Sequence, residues 1–170
     1  MRTARRRATL VAVALLASVR LAGAQQLEPP RLEPARVVGQ VVVGGYSGLA
    51  GFLVGQFIAE GVSESIGIDS DAGIRRLGLA GGVIGGGLAT ASVVYGIGNI
   101  GDQTGDFDAT ALGAGVGFVA ALAITRLILG PDSWPREGTS TSRRWAAANI
   151  VALLPAIGAS IGFNSTRRYH

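Results

Sequence analysis

The sequence predicts an all-α membrane protein, an antiparallel four-helix transmembrane bundle whose helices pack through heptad seams of glycine and alanine. Three observations support this fold class. The chain contains four long apolar segments, these segments carry a single charged residue, Arg126, and small residues recur in them at steps of three and four. A helix of about 20 mainly apolar residues is long enough to cross a bilayer core of about 30 Å.

The first 24 residues have the organisation of a secretory signal peptide. The basic stretch "MRTARRR" precedes the twelve-residue apolar stretch "ATLVAVALLASV", and "AGA" at residues 22–24 has the form of a cleavage site. We therefore expect a signal peptide over residues 1–24. Residues 25–36, "QQLEPPRLEPAR", contain three prolines and predict an extended tail before the membrane domain.

The membrane domain is expected over residues 37–164, followed by a polar C-terminal tail at residues 165–170. Its four predicted helices cover residues 37–59, 77–100, 109–129 and 145–164. Glycine weakens a helix in water by about 1 kcal/mol relative to alanine. In lipid, however, backbone groups that leave a helix find no water to bond, so glycine is compatible with these helices.

Small residues follow each predicted helix at steps of three and four, which places them on one face. Such a face lets two helix backbones approach closely in lipid, and the spacing predicts a heptad seam. The predicted seam residues are Gly44, Gly48, Gly51 and Gly55 in the first helix; Gly78, Gly82, Gly85, Ala89, Ser92 and Gly96 in the second; Gly113 and Gly117 in the third; and Ala152, Pro155, Ala159 and Gly162 in the fourth. Bulky residues such as Phe52, Phe57 and Phe118 are then expected to face lipid.

Other residues in or near the predicted helices are expected to serve packing and anchoring. Arg126 lies four residues before Gly130, so its side chain can reach the membrane interface. Asp108 is expected to cap the third helix, and Trp134 and Trp145 to anchor at the interface. Interhelical hydrogen bonds are expected from Gln40, Gln56, Asn99 and Asn149, with the lining of a solute path as the alternative.

Composition excludes much catalytic chemistry. The chain has no cysteine and one histidine, His170, which removes thiol nucleophiles and leaves no histidine cluster for a metal or general base. Acidic residues near 69–71 and 102–108 do not follow the calcium-loop pattern and are interpreted as helix caps and turn residues. Beyond residue 24 ten arginines face eleven acids, so the sequence does not indicate nucleic-acid binding. We expect no enzyme activity, cofactor or metal.

Two stretches resemble uncharacterised bacterial envelope proteins that combine a signal peptide with glycine-zipper hydrophobic hairpins. One is "LLPAIGASIGFN" followed by "STRRY", and the other is "VVYGIGNIGDQTGDFDATALGAGVG" at residues 93–117. The similarity covers most of residues 37–168. It implies an envelope location and a helical hairpin fold, and it implies no catalytic residue.

The expected function is that of a non-enzymatic integral membrane protein of the bacterial cell envelope, with a structural or interaction role through helix packing. Its expected partners are the lipid bilayer and other copies of the chain. Four crossings after signal cleavage place both ends of the mature chain on the periplasmic side of the inner membrane. A small oligomeric channel or solute carrier is the first alternative, and an eight-stranded outer-membrane β-barrel is the second.

Overall fold

The computed structural model describes residues 33–68, 70–130 and 139–169, and most of these residues are helical. The helices are α1 (Pro34–Ser65), α2 (Asp71–Gly98), α3 (Phe107–Leu129) and α4 (Thr141–Ser165). Two short strands, β1 (Gln103–Thr104) and β2 (Arg168–Tyr169), pair with each other. The predicted helical bundle is confirmed for this part of the chain, and the eight-stranded alternative is wrong.

Each of these four helices is long and apolar enough to cross a membrane. Between 28% and 39% of each apolar span is buried inside the protein, so most of its residues keep exposed surface. Exposed apolar surface is unfavourable in water, whereas lipid tails are as apolar as the side chains themselves. Length, composition and exposure together indicate a membrane protein.

Helix α1 is longer at both ends than its predicted segment. It begins at Pro34, so the last residues of the predicted tail 25–36 are helical instead of extended. Proline suits the first turn of a helix because its fixed φ is helical and no intrahelical partner is lost there. The predicted signal peptide, residues 1–24, lies outside the described residues.

Side-chain caps set the beginnings of α2 and α3. The Ser70 hydroxyl accepts a hydrogen bond from the backbone N–H of Gly73, so α2 starts well before the predicted residue. At α3, the Asp106 carboxylate accepts from the backbone N–H groups of Asp108 (2.7 Å) and Ala109 (3.4 Å). The prediction that Asp108 is the N-cap is therefore wrong. Asp108 lies in the first turn, where its charge favours the helix dipole.

The predicted polar tail, residues 165–170, is part of the fold over its described residues. Strand β2 pairs antiparallel with β1, with Tyr169 opposite Gln103 and Arg168 opposite Thr104. Arg167 is only 3% exposed, and its guanidinium carbon lies 5.2 Å from the centroid of the Tyr169 ring. These contacts fold the C-terminal residues back onto the connection between α2 and α3.

The helices pack as two pairs. Helix α1 packs mainly against α2, and α3 mainly against α4; we call these pairs the first hairpin and the second hairpin. A fully buried apolar cluster lies where the hairpins meet, and it takes residues from both. Its members are Ala91 and Val94 from the first hairpin and Ala114, Ala159 and Phe163 from the second.

Phe52 and Phe118 are buried, so the prediction that they face lipid is wrong for these two residues. Their rings stack with centroids 6.4 Å apart and an interplanar angle of 15°. Glycines make room for the rings: a Cβ at Gly82 would lie 2.8 Å from Phe52, and one at Gly86 would lie 2.6 Å from Phe118. Phe57 is 77% exposed, in agreement with the prediction for that residue.

Candidate functional site

Helices α1 and α2 touch backbone to backbone at four glycines. A Cβ added to Gly51 would lie 2.7 Å from the carbonyl oxygen of Gly85, and one added to Gly85 would lie 2.5 Å from that of Gly51. Gly55 and Gly81 face each other in the same reciprocal way. No larger residue fits at these four positions without moving a helix. Cα–H groups placed against carbonyl oxygens in this way contribute about 0.5–1 kcal/mol each.

The contact continues towards the beginning of α1. A Cβ at Gly48 would collide with the Thr90 hydroxyl, and one at Gly44 would lie 2.6 Å from Cγ2 of Val94. On the facing helix, a Cβ at Gly86 would lie 2.9 Å from the carbonyl oxygen of Gly48. All four predicted glycines of the first helix therefore lie where α1 meets α2.

The other end of the same contact includes an acidic side chain. A Cβ at Gly78 would lie 2.9 Å from Oε1 of Glu60, and that oxygen accepts a hydrogen bond of 2.8 Å from Nε2 of Gln56. Gln56 thus bonds one turn along its own helix, instead of across helices as predicted. Ala89 also lies in the contact, because its Cβ would be 2.6 Å from one added to Gly51.

Two predicted seam residues of α2 lie elsewhere. Ser92 and Gly96 are exposed, and a Cβ at Gly96 would meet nothing within 4 Å. Neither position lies on the buried face of α2, whose residues recur mainly at steps of four. That row consists of Gly78, Gly82, Gly86, Thr90, Val94 and Gly98.

The second hairpin repeats the backbone contact of the first. A Cβ on either Gly113 or Gly158 would collide with the carbonyl oxygen of the other. One added to Gly117 would lie 2.6 Å from Cα of Pro155 and would also collide with the Leu154 carbonyl oxygen. Pro155 is buried inside the continuous helix α4, where it takes the place of a small residue.

The remaining predicted residues of α4 belong to different faces. Gly162 continues the contact with α3, because its Cβ would collide with the carbonyl oxygen of Ala109. Ala152 faces the first hairpin instead: a Cβ at Gly45 would lie 2.9 Å from its carbonyl oxygen. Ala159 is fully buried in the apolar cluster between the hairpins. The fourth predicted seam therefore combines residues from more than one interface.

Several glycines in close contacts were not predicted from the sequence. They are Gly45, Gly81, Gly86, Gly98, Gly105 and Gly158. Two small residues with three other residues between them are a known helix-packing signal in membranes. Gly81 with Gly85, and Gly158 with Gly162, have this spacing. A pattern of small residues four positions apart therefore includes Gly81 and Gly158, whereas the heptad pattern includes only their partners Gly85 and Gly162.

The amide side chains of a buried glutamine and a half-buried asparagine tie three helices together at one end of the bundle. We call this end, where α1 and α3 begin and α2 and α4 finish, the polar end. Gln40 is 1% exposed and donates through Nε2 to the carbonyl oxygen of Val94 at 3.2 Å. Asn164 donates through Nδ2 to Oε1 of Gln40 at 3.3 Å and to the Ser160 carbonyl oxygen at 2.7 Å. Gln40 thus makes the interhelical hydrogen bond that the sequence predicts.

The connection between α2 and α3 is folded onto the end of α2 at the polar end. The buried Gln103 donates through Nε2 to the Gly98 carbonyl oxygen at 2.6 Å. Asn99 donates to the Tyr95 carbonyl oxygen at 2.9 Å and accepts from the backbone N–H of Gly105 at 3.1 Å. The asparagine side chain therefore serves this turn instead of lining a path.

Helix α4 reaches this connection through an aromatic ring and a hydroxyl group. The Phe163 ring occupies the space beside Gly98 and Gly105, since a Cβ at either glycine would collide with it. The Thr166 hydroxyl accepts a hydrogen bond of 3.0 Å from the backbone N–H of Asp106. Both contacts join residues far apart in sequence and lock the polar end.

The other predicted residues lie on the surface. Asn149 donates to the carbonyl oxygen of Trp145 at 2.8 Å, one turn earlier in its own helix. Trp145 is 67% exposed, and Arg126 is exposed in the last turn of α3. Trp134 lies outside the described residues. These positions suit interface anchoring, and none of them converges on a common site.

The arrangement offers helix contacts and no assembled reaction centre within the described residues. No group of three or more His, Cys, Asp or Glu residues in that part of the chain is placed to hold a metal ion. Comparison of the chain with protein-family models, curated proteins and solved structures found no match. The resemblance to envelope proteins therefore stays a prediction, and function must be inferred from the packing geometry.

Proposed function

We propose that this protein is a non-enzymatic integral membrane protein of the bacterial cell envelope, with a structural or interaction role based on close helix packing. The observation that carries the proposal is the reciprocal backbone contact in both hairpins, Gly51 with Gly85 and Gly113 with Gly158. Such contacts are typical of helices that associate in lipid, where small residues allow van der Waals packing and backbone contacts.

The glycine contacts support antiparallel seams within each hairpin. In the first hairpin Gly44 meets Val94, whereas Gly55 meets Gly81, so the chain order of the two helices is opposite. A helix pair of this kind buries its polar backbone groups and presents bulky apolar side chains to lipid. We propose that the two seams build the hairpins and that the outer faces contact the bilayer.

The distribution of arginines supports an inner-membrane orientation with both ends of the mature chain in the periplasm. We call the end opposite to the polar end, where α1 and α3 finish and α2 and α4 begin, the loop end. Its described arginines are Arg75, Arg76, Arg126, Arg143 and Arg144. The polar end has Arg36, Arg167 and Arg168. Basic residues are enriched on the cytoplasmic side of membrane proteins, so the loop end is proposed to face the cytoplasm.

The channel or carrier alternative has less support from the side chains that suggested it. Gln56, Asn99 and Asn149 bond to groups one turn away in their own helices, and Gln40 bonds to Val94. A conducting path needs polar groups that are directed towards a shared passage. The bilayer, and other copies of the chain through small outward residues, remain the proposed partners, with no cofactor or nucleic acid.

Cysteine accessibility tests the membrane placement, because the chain has no native cysteine. Ser65→Cys reports the loop end and Asp102→Cys the polar end, and both residues are exposed. In cells with a permeabilised outer membrane, an impermeant maleimide should label Asp102→Cys at once and Ser65→Cys only after lysis. The reverse pattern would overturn the orientation, and recovery of the protein without membranes would overturn membrane insertion. Proteoliposome flux above that of empty vesicles would favour the channel alternative.

A further inference from the structure

The two hairpins carry opposite charges at the same depth of the bundle. Phe52 of α1 stacks on Phe118 of α3 with ring centroids 6.4 Å apart, so these two residues lie at one level. Both helices run from the polar end to the loop end. Glu60 follows Phe52 by eight residues, and Arg126 follows Phe118 by eight. A helix rises about 1.5 Å per residue, so each charge lies about 12 Å from the stacked rings on the side of the loop end.

This level falls within the hydrocarbon core in the proposed membrane placement. Phe118 is the middle residue of α3, a helix of 23 residues. With the middle of α3 at the middle of the bilayer, a depth of about 12 Å is inside half of a core of about 30 Å. A charge in this region is unfavourable unless it pairs with another charge or reaches water. Neither Glu60 nor Arg126 has an ion-pair partner among the residues that the structure describes.

The carboxylate of Glu60 is directed towards the middle of the membrane instead of the interface. Its Oε1 accepts a hydrogen bond of 2.8 Å from Nε2 of Gln56, which lies one turn closer to the stacked rings. The same oxygen lies 2.9 Å from the position of a Cβ at Gly78, so the glycine makes room for the carboxylate. Glu60 is half-buried and keeps part of its surface exposed, so a cation from another molecule can reach it.

Apolar surface surrounds both charges and lets a second helix approach them. Arg126 is exposed, and Val119, two turns earlier in α3, is more than half exposed. One turn before Val119, a Cβ at Gly115 would meet nothing within 4 Å. On α1, Phe57 lies three residues before Glu60 and is also more than half exposed. Residues at these spacings share a helix face, so each charge belongs to a face that is open to a neighbouring molecule.

We propose that copies of this protein associate through α1 of one copy and α3 of the next, with Glu60 of the first copy paired with Arg126 of the second. Copies that share one orientation in a membrane bring residues of equal depth together when they lie side by side. The pairing removes both charges from lipid and gives the contact complementary charge. Because the two residues belong to different hairpins, each copy can bind one neighbour through α1 and another through α3. This inference rests on the proposed function and identifies its interaction as self-association.

Energy transfer between labelled copies in lipid vesicles tests this contact. Asp102→Cys provides an exposed label site at the polar end, away from the contact, because the chain has no native cysteine. Glu60→Arg or Arg126→Glu alone should weaken association about tenfold or more, since each change places like charges together. The matched control Arg143→Glu reverses another exposed arginine at the loop end and should leave association unchanged.

A mixture of the two single variants separates a contact between copies from an effect within one copy. Donor-labelled Glu60→Arg and acceptor-labelled Arg126→Glu should associate with each other as tightly as the wild type, because opposite charges meet again at the contact. Each variant should associate poorly with itself. Misfolding of either variant cannot produce recovery in the mixture. A mixture that associates as weakly as each variant alone would overturn the inference.

Other outcomes separate this inference from the proposed function. A wild-type protein that stays in the membrane without energy transfer between copies would overturn self-association and leave the membrane placement intact. Association that both single variants preserve would overturn the pairing of Glu60 with Arg126 in the same way. Recovery of the wild-type protein without membranes would instead overturn the proposed function, and the inference with it.

Discussion

Replacing Gly85 with alanine should weaken the first hairpin, whereas the same change at Gly87 should not. Both glycines lie in α2, two residues apart. A Cβ at Gly85 would lie 2.5 Å from the carbonyl oxygen of Gly51 and 3.1 Å from Cα of Gly55. A Cβ at Gly87 would meet nothing within 4 Å. The two variants therefore compare one substitution in one helix with and without the helix contact.

The expected difference follows from the distances. Non-bonded carbon atoms are best separated by about 3.5–4 Å, so α1 must move away from Gly85 by about 1 Å. The obstructing atoms belong to the backbone of α1, so no side-chain rotation relieves the clash, and overpacking of this kind costs about 1–3 kcal/mol. At Gly87 alanine favours the helix by up to about 1 kcal/mol in water. We expect Gly85→Ala to be less stable than Gly87→Ala by about 2 kcal/mol.

The free energy of unfolding can be measured by titrating the purified protein in mild detergent with sodium dodecyl sulfate. Far-UV circular dichroism reports helix content, and tryptophan fluorescence reports the combined environment of Trp134 and Trp145. The Gly85→Ala midpoint should fall clearly below those of the wild type and Gly87→Ala. If both variants unfold at the same midpoint, the backbone contact between α1 and α2 does not stabilise the protein and the packing argument fails.

Three further predictions use the same titration. In the second hairpin, Gly113→Ala should lose about 1–3 kcal/mol, while Gly115→Ala, which has open space for a Cβ, should not; equal losses would contradict the contact. Asp106→Ala should cost about 1 kcal/mol through loss of the N-cap, and Asp108→Ala should cost less; the opposite order would refute the observed cap. Gln40→Leu should cost about 0.6–1.7 kcal/mol, and an unchanged midpoint would show that the buried amide contributes no net stability.

The four helices could be predicted from the sequence because each depends on a local property. An apolar stretch longer than about 20 residues satisfies the length of a bilayer span wherever its neighbours lie. The boundaries were less accurate, since they depend on individual caps. Ser70 begins α2 several residues before the apolar stretch does, and two nearby acids, Asp106 and Asp108, both had the chemistry of an N-cap. Local pattern alone did not distinguish between them.

The seams were partly predictable. The four predicted glycines of the first helix all meet α2, so one regularly spaced face describes them well, although it leaves out Gly45, which lies against Ala152 of α4. Helix α2 is different, because it faces α1 through Gly85 and the second hairpin through Gly86 and Val94. A helix with two neighbours has two buried faces, and one periodic row cannot describe both. The heptad row of α2 therefore leaves the helix contact after Ala89 and reaches the exposed positions Ser92 and Gly96.

The polar end could not be predicted from sequence pattern, because its contacts join distant parts of the chain. Gln40 and Asn164 are 124 residues apart, and Asp106 and Thr166 are 60 apart. Strands of two residues, such as β1 and β2, are too short to produce an alternating pattern. The burial of Arg167 likewise follows from the folding back of the C-terminal residues. These features exist only once both hairpins are in place.

Glycine abundance and helix packing are separate properties of this protein. A Cβ would meet nothing within 4 Å at Gly61, Gly87, Gly96 and Gly115, although all four lie inside helices. Close packing of the described residues therefore does not explain these glycines, whereas Gly51 and Gly113 cannot carry a side chain without moving a helix. If the outward glycines serve contacts between copies, Gly96→Leu should reduce association in lipid while leaving monomer stability unchanged. Equal association of the variant and the wild type, measured by energy transfer between labelled copies, would show that outward glycines have no role in such contacts.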